Sequence, residues 1–322
     1  MNIMVLGAGI FGTAIANELA VNSNNKVLLY CRRSEQVDEI NLYNTNKKYF
    51  PNKHLSKNLK ATSDSKKISS SDIILIALPS AVLAQTLAAL KLYFKKDSLL
   101  VNLSKGMLEN GTNIVDHLKQ LLDHKNIVTL KGPSFAVEVI EHADTLLTLG
   151  YSNTDQLNRI VDMINCTGIH IDYTRDIKGV EILSVLKNIY ALVLGVVDAK
   201  YDSANTRFMV LTKAFSEIRI ILKSLGGSED TLFLACGFGD LCLTSLNDLS
   251  RNRTLGLLIG KGFFTADYQS ESVILEGLNA IKMIHNLIDK DVLNQLFLFN
   301  KVHNFFTLKE KELDFTFNEL FN

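Results

Sequence analysis

The chain opens on an apolar run, Ile3 to Leu6, that leads straight into Gly7-Ala8-Gly9-Ile10-Phe11-Gly12-Thr13-Ala14. No other feature constrains the fold as strongly. Glycines at these three spacings serve a tight turn, a close approach of backbone to a pyrophosphate, and close packing of the next helix on the strand. A helix expected through Ala20 would aim its N-terminus at an anion, and Lys26 to Tyr30 reads as a second strand. The pattern predicts a Rossmann-type unit that holds a dinucleotide against Gly7, Gly9, Ile10, Phe11 and Gly12.

The second strand ends in Tyr30-Cys31-Arg32-Arg33, where an acidic residue would favour NAD. Two arginines at a helix start oppose its dipole unless an anion neutralises them, so Arg32 and Arg33 point to the 2′-phosphate of NADP. A solvated surface pair is the plainer alternative. After a polar connection through Asn46 and Tyr49-Phe50-Pro51, strand-like runs recur at Asp72 to Leu78, Ser98 to Leu103, Ile127 to Leu130, Thr145 to Leu149 and Ile169 to Tyr173. In a doubly wound sheet these ends converge on one rim. That rim would carry Lys105 beside the nicotinamide, an ordinary loop lysine being the alternative, with the turn Gly132-Pro133-Ser134-Phe135-Ala136 near it.

From Ile177 the pattern turns helical. Val180 to Ala199 is almost wholly apolar apart from Glu181, Lys187 and Asn188, which suits a core helix better than a membrane span. Burying an unpaired ammonium costs several kcal/mol, so Lys187 reads as a proton donor whose acidity burial can tune. A snorkelling side chain is the bland alternative. Beyond a helix over 205–225, the stretch Gly237 to Gly256 sets Asp240 and Thr244 four apart, on one helix face. Its Ser250-Arg251-Asn252-Arg253 joins hydroxyl, guanidinium and amide as a phosphorylated metabolite requires. A serine N-cap followed by a solvated arginine pair is the alternative. A loop at Ile274-Leu275-Glu276-Gly277 and further helices complete the chain.

A length of 322 residues predicts two domains, a dinucleotide-binding 1–178 and a helical 179–322. The 34 basic and 34 acidic residues balance, so nothing marks a nucleic-acid partner and small-molecule chemistry is expected. The N-terminus has no targeting pattern, which predicts a cytoplasmic protein. The four cysteines and seven histidines lack metal-ligand spacing, and no metal is expected.

Together, the glycine loop, Ser104-Lys105-Gly106, Gly132 to Ala136, Leu186-Lys187-Asn188 and the Gly237 to Gly256 stretch resemble the bacterial NAD(P)-dependent glycerol-3-phosphate dehydrogenases over essentially the whole chain. The resemblance implies an α/β Rossmann-type doubly wound sheet followed by an all-α domain, and interconversion of dihydroxyacetone phosphate and sn-glycerol 3-phosphate for phospholipid synthesis. It implies catalysis by Lys187 with Lys105 and Asp240. Substrate would lie against Lys105, Gly132, Ser134, Lys187, Asp240, Ser250, Arg251 and Asn252. NADP or NAD would contact Ile10, Phe11, Arg32, Tyr49, Lys105, Ala136, Arg251, Ile274 and Glu276. No integral membrane contact is implied, and a homodimer is left open. The chain departs from the family at Leu183-Ser184, where Gly-Gly is usual, and at Ala199, where an Asp-Gly pair is usual. Two alternatives stand beside this one: a two-domain dehydrogenase of another phosphorylated hydroxy compound, and a non-catalytic nucleotide-sensing module.

Overall fold

The structure is a computed structural model that describes residues 1–106, 112–263, 272–308, 310, 312–315 and 317–319, with the side chains of 272–276, 278 and 319 outside the description. Two compact units divide between Ile177 and Lys178, the second made chiefly of Lys178–Asn322.

The first unit is built on strands β1 (Asn2–Leu6), β2 (Lys26–Tyr30), β3 (Lys60–Thr62), β4 (Ile73–Ile76), β5 (Leu99–Asn102), β6 (Ile127–Lys131), β7 (Thr145–Gly150) and β8 (Ile169–Thr174). Its helices are α1 (Ile10–Leu19), α2 (Ser34–Tyr43), α3 (Ser80–Leu90), α4 (Ile114–Leu122), α5 (Ala136–Val139) and α6 (Thr154–Ile164). The strands form one sheet in the order β3-β2-β1-β4-β5-β6-β7-β8, so the winding reverses between β1 and β4. Every neighbouring pair is parallel except β6 with β7.

Two expectations need correcting here. The short edge strand β3 was not anticipated, because Lys-Ala-Thr is too brief and too polar to stand out. The strand ends do not all meet on one rim either. β7 runs antiparallel to β6, so β7 and β8 end at the opposite rim from β1, β4, β5 and β6.

Alternation along the central strands sorts their side chains into two cores. Ile3, Val5, Ile73, Leu75, Val101 and Val128 pack with residues of α1, α2, α5 and α6. Met4, Leu6, Ile74, Ile76, Leu100 and Ile127 pack with α3 and α4. Each fully buried aliphatic side chain contributes about 1.5–3 kcal/mol relative to exposure, so the sheet is a stiff platform for the loops at its rim.

The second unit is helical among the described residues: α7 (Ile177–Lys200), α8 (Ala204–Ser224), α9 (Asp240–Leu246), α10 (Arg251–Gly260), α11 (Ser272–Leu287), α12 (Lys290–Leu293) and α13 (Phe297–Thr307). A helix apolar on every side belongs in a core. Accordingly, α7 has the length and composition of a membrane span, yet 94% of its most apolar window is buried within the protein. It packs with Val210, Ile218, Ile221, Phe299 and Val302. Where α7 and α10 cross, Gly195 and Gly256 face one another so closely that a β-carbon on Gly195 would lie 2.2 Å from the Arg253 carbonyl oxygen, and one on Gly256 2.1 Å from that of Leu192. One turn on, Ala199 meets Gly260, where a β-carbon would come within 2.6 Å of the alanine's own. The expected loop at Ile274 to Gly277 is instead part of α11, because its apolar residues continue a helical period that a single glycine does not break.

Candidate active site

Gly7 adopts φ +113°, and a β-carbon there would lie 2.5 Å from the Ala77 carbonyl oxygen at the end of β4. A β-carbon on Gly12 would sit 1.9 Å from the Gly7 carbonyl oxygen, so the third glycine lets α1 seat on the turn. Around Gly9 the space is open, and as the N-cap of α1 it leaves the first turn without a side-chain cap. This bare helix start at the sheet's switch point fits the pyrophosphate of a dinucleotide. Beneath it, Gln36 donates to the Ala8 carbonyl at 2.8 Å, and Asn46 donates to Thr13 Oγ1 at 2.9 Å. Ile10, Arg32 and Arg33 are exposed, while Phe11, Tyr49 and Ala136 are half-buried. Arg33 is the N-cap of α2, without a side-chain cap bond. Cys31 beside the pair is inert, since burial pushes its thiol up to about 12.

At the ends of β5 and β6 the half-buried Lys105 follows a locked turn. Ser104 N donates to Asn102 Oδ1 at 3.0 Å, and Ser104 Oγ donates to the Leu78 carbonyl at 2.7 Å. Gly132 is buried, and its carbonyl accepts from Ser134 Oγ at 3.1 Å. Lys131, which sequence reasoning passed over, is 2% exposed, and its ammonium donates to the carbonyls of Ser104 and Asn102. The signal was available: a lysine closing a wholly buried apolar strand.

In the second unit, Lys187 lies in the middle of α7, with 4% exposure that rules out snorkelling. The expectation of an unpaired ammonium is corrected, because Lys187 donates to Asp240 Oδ1 and, at 3.2 Å, to Thr244 Oγ1. Thr244 in turn donates to Asp240 Oδ1 at 3.3 Å, the i,i+4 contact expected on α9. Asp240 Oδ2 is buried and has no hydrogen-bond partner among the described residues, so this carboxylate retains an acceptor for a ligand. Two glycines precede it in the π-turn Ala235–Gly239, where a β-carbon on Gly237 would meet the Leu232 carbonyl oxygen at 2.2 Å.

Ser250 is the N-cap of α10, its hydroxyl accepting from Arg253 N at 3.3 Å. Arg251 is exposed and Asn252 half-buried. Arg253 does not face solvent, so the alternative of a solvated arginine pair fails at this position. It is 8% exposed and pairs with Asp198 of α7, with Asp248 at 3.2 Å and with the Ser245 carbonyl at 3.3 Å. Asp198 also accepts from Arg207 Nε at 2.5 Å. An arginine two positions along a helix from an exposed one turns to the opposite side, which here is the core. Ile274 and Glu276 belong to α11, and their side chains lie outside the described residues.

Family models for the N- and C-terminal parts of NAD-dependent glycerol-3-phosphate dehydrogenase match residues 2–157 and 176–315. The chain belongs to this family. Among relatives of the glycerol-3-phosphate dehydrogenase family, a glycerol-3-phosphate dehydrogenase [NAD(P)+] from Methanothermobacter thermautotrophicus is 34% identical over 90% of this chain and 89% of its own. One of the same name from Clostridium botulinum is 32% identical over 88% of this chain and 87% of its own. A crystal structure of glycerol-3-phosphate dehydrogenase from Coxiella burnetii superposes with a TM-score of 0.84 at 27% identity, covering 96% of this chain and 95% of that one. The fold is the one the family implies, a Rossmann-type sheet followed by a helical domain, and the chain is an oxidoreductase of the NAD(P)-dependent class.

Proposed function

We propose that this enzyme interconverts dihydroxyacetone phosphate and sn-glycerol 3-phosphate, with NADP or NAD as cofactor. Beyond family membership, the buried Lys187, Asp240 and Thr244 cluster is the observation that carries this reading, because a module that only sensed nucleotide would have no use for it. The dinucleotide, when bound, supplies or receives the hydride. Reduction of the C2 carbonyl builds negative charge on its oxygen, and the Lys187 ammonium stabilises that charge and gives it a proton. Asp240 Oδ1 and Thr244 hold the ammonium, while Asp240 Oδ2 accepts from a substrate hydroxyl. Arg251 clamps the phosphate, with Ser250 and Asn252 beside it.

Lys105, Gly132 and Ser134 complete the substrate contacts. Gly7, Gly9, Ile10, Phe11, Gly12, Tyr49, Ala136, Ile274 and Glu276 contact the cofactor, with Arg32 and Arg33 at its 2′-phosphate. The product serves phospholipid synthesis in the cytoplasm, where thiols stay reduced, and all four cysteines are free. The exposed rings of Phe208, Phe233 and Phe238 support a homodimer that would cover them. Oxidation of NADPH by the purified chain that depends on dihydroxyacetone phosphate is the deciding assay. Reduction of an unrelated hydroxy-compound precursor in preference to it would overturn the assignment.

A further inference from the structure

Lys131 is a charged side chain with no share in the chemistry just described, yet it is buried at the end of β6. Its ammonium donates to the Ser104 carbonyl and, at 3.3 Å, to that of Asn102, the two carbonyls that bracket the end of β5. The same turn is held from the other side by Ser104 Oγ, which donates to Leu78 at 2.7 Å and Ile76 at 3.2 Å. Thr129 Oγ1 adds a further bond, to the Asn102 carbonyl at 3.3 Å. Residues from β4, β5 and β6 thus converge on one peptide segment, and Lys105 is the next residue along. A buried ammonium is costly unless its protons are satisfied, so its bonds to these carbonyls are specific in direction.

We propose that Lys131 is a positioning residue for the reductase chemistry: it fixes the Ser104 peptide and thereby the direction in which Lys105 leaves the sheet. The inference rests on the assignment of Lys105 to the substrate and nicotinamide side. It predicts a division of effects. The glycine loop, supported by Gln36 and Asn46, does not depend on Lys131, so cofactor affinity should survive its loss while turnover does not.

The test uses the full chain as wild type, Lys131→Met, Ser104→Ala and the double variant. NADPH binding is followed by its fluorescence, and kcat and KM by NADPH oxidation with dihydroxyacetone phosphate. Lys131→Met should bind NADPH within about threefold of wild type and lose about ten- to a hundredfold in kcat/KM, as expected for small misplacement of a reacting group. The double variant should lose less than the product of the single losses, because both side chains hold one turn. Lys131→Gln, which keeps a donor but drops the charge, should fall between wild type and Lys131→Met, and it serves if the methionine variant does not fold. Unchanged kcat/KM, equal losses in NADPH affinity and turnover, or multiplicative losses in the double variant would each overturn the proposal. Amide exchange separates its failure from that of the reaction assignment. Faster exchange at 102–105 in Lys131→Met, with the glycine loop unchanged, supports the clamp even if wild type reduces some other substrate, and unchanged exchange there overturns it.

Discussion

Arg253 of α10 and Asp198 of α7 form an ion pair inside the helical unit, with side-chain exposures of 10% and 4%. Two positions away, Arg251 is exposed. Their substitutions should therefore differ in kind. Arg253→Ala strands Asp198 with Arg207 alone and should cost about 3–5 kcal/mol of stability, read by urea denaturation. Arg251→Ala should unfold at the wild-type midpoint and lose about ten- to a hundredfold in kcat/KM for dihydroxyacetone phosphate, at roughly 1.5–3 kcal/mol per charge-assisted bond. Matching denaturation midpoints for wild type and Arg253→Ala would show that the pair contributes nothing.

Lys187→Met should lower kcat by about 10²- to 10⁴-fold while cofactor still binds. It should also lose stability, because the buried Asp240 carboxyl loses its cationic partner. Adding Asp240→Asn should restore much of the stability and none of the turnover. Recovery of turnover in the double variant would mean that the lysine acts only by neutralising the aspartate.

Glu217 gives a pH signature. Burial raises its carboxyl above the ordinary 4.5, although the Leu298 and Phe299 amides, the Tyr190 hydroxyl and the Lys213 charge all pull the other way. Between 4.5 and the raised folded value, the native state holds a proton that the unfolded state has released. Stability contributed by this site therefore falls as pH rises through that window and is constant above it. In melting experiments across acidic to neutral pH, wild type should gain on Glu217→Gln as pH is lowered. A difference between the two that does not vary with pH would remove the effect.

Arg32 and Arg33 should make NADPH at least as good a cofactor as NADH. Replacing both by alanine should reduce kcat/KM for NADPH and spare that for NADH, since only the former has a 2′-phosphate. A tenfold preference of wild type for NADH would refute the assignment.

Much of the architecture was legible because local chemistry dictates it. The glycine loop demands a strand before it and a helix after it, and buried parallel strands read as unbroken apolar runs. The antiparallel β7 was not legible, because Thr145 to Gly150 is equally apolar in either direction and its partner is chosen by tertiary packing. At the site, Lys187 was evident as a charge in an apolar helix and Asp240 as a helix-face neighbour of Thr244, but the pairing of Lys187 with Asp240 spans 53 residues and no local pattern encodes it. The burial of Arg253 was illegible for a similar reason: its partner Asp198 lies 55 residues away. Lys131 stands out in the sequence as a lysine closing an apolar strand, but its bonds to the Asn102 and Ser104 carbonyls are not legible there, because every residue carries such an acceptor.

The contact of Gly195 with Gly256 has a consequence for how this enzyme can change. Most positions tolerate a larger or smaller side chain because neighbours shift, but here the obstacles are the main-chain oxygens of Arg253 and Leu192. Backbone already hydrogen-bonded in two helices has nowhere to go. A single methyl group would act as a wedge, prising apart the two rods from which Lys187 and Arg251 project. Lineages of this enzyme can therefore explore new substrates by altering the residues that touch them, while the hinge line of two bare α-carbons stays closed to gradual substitution.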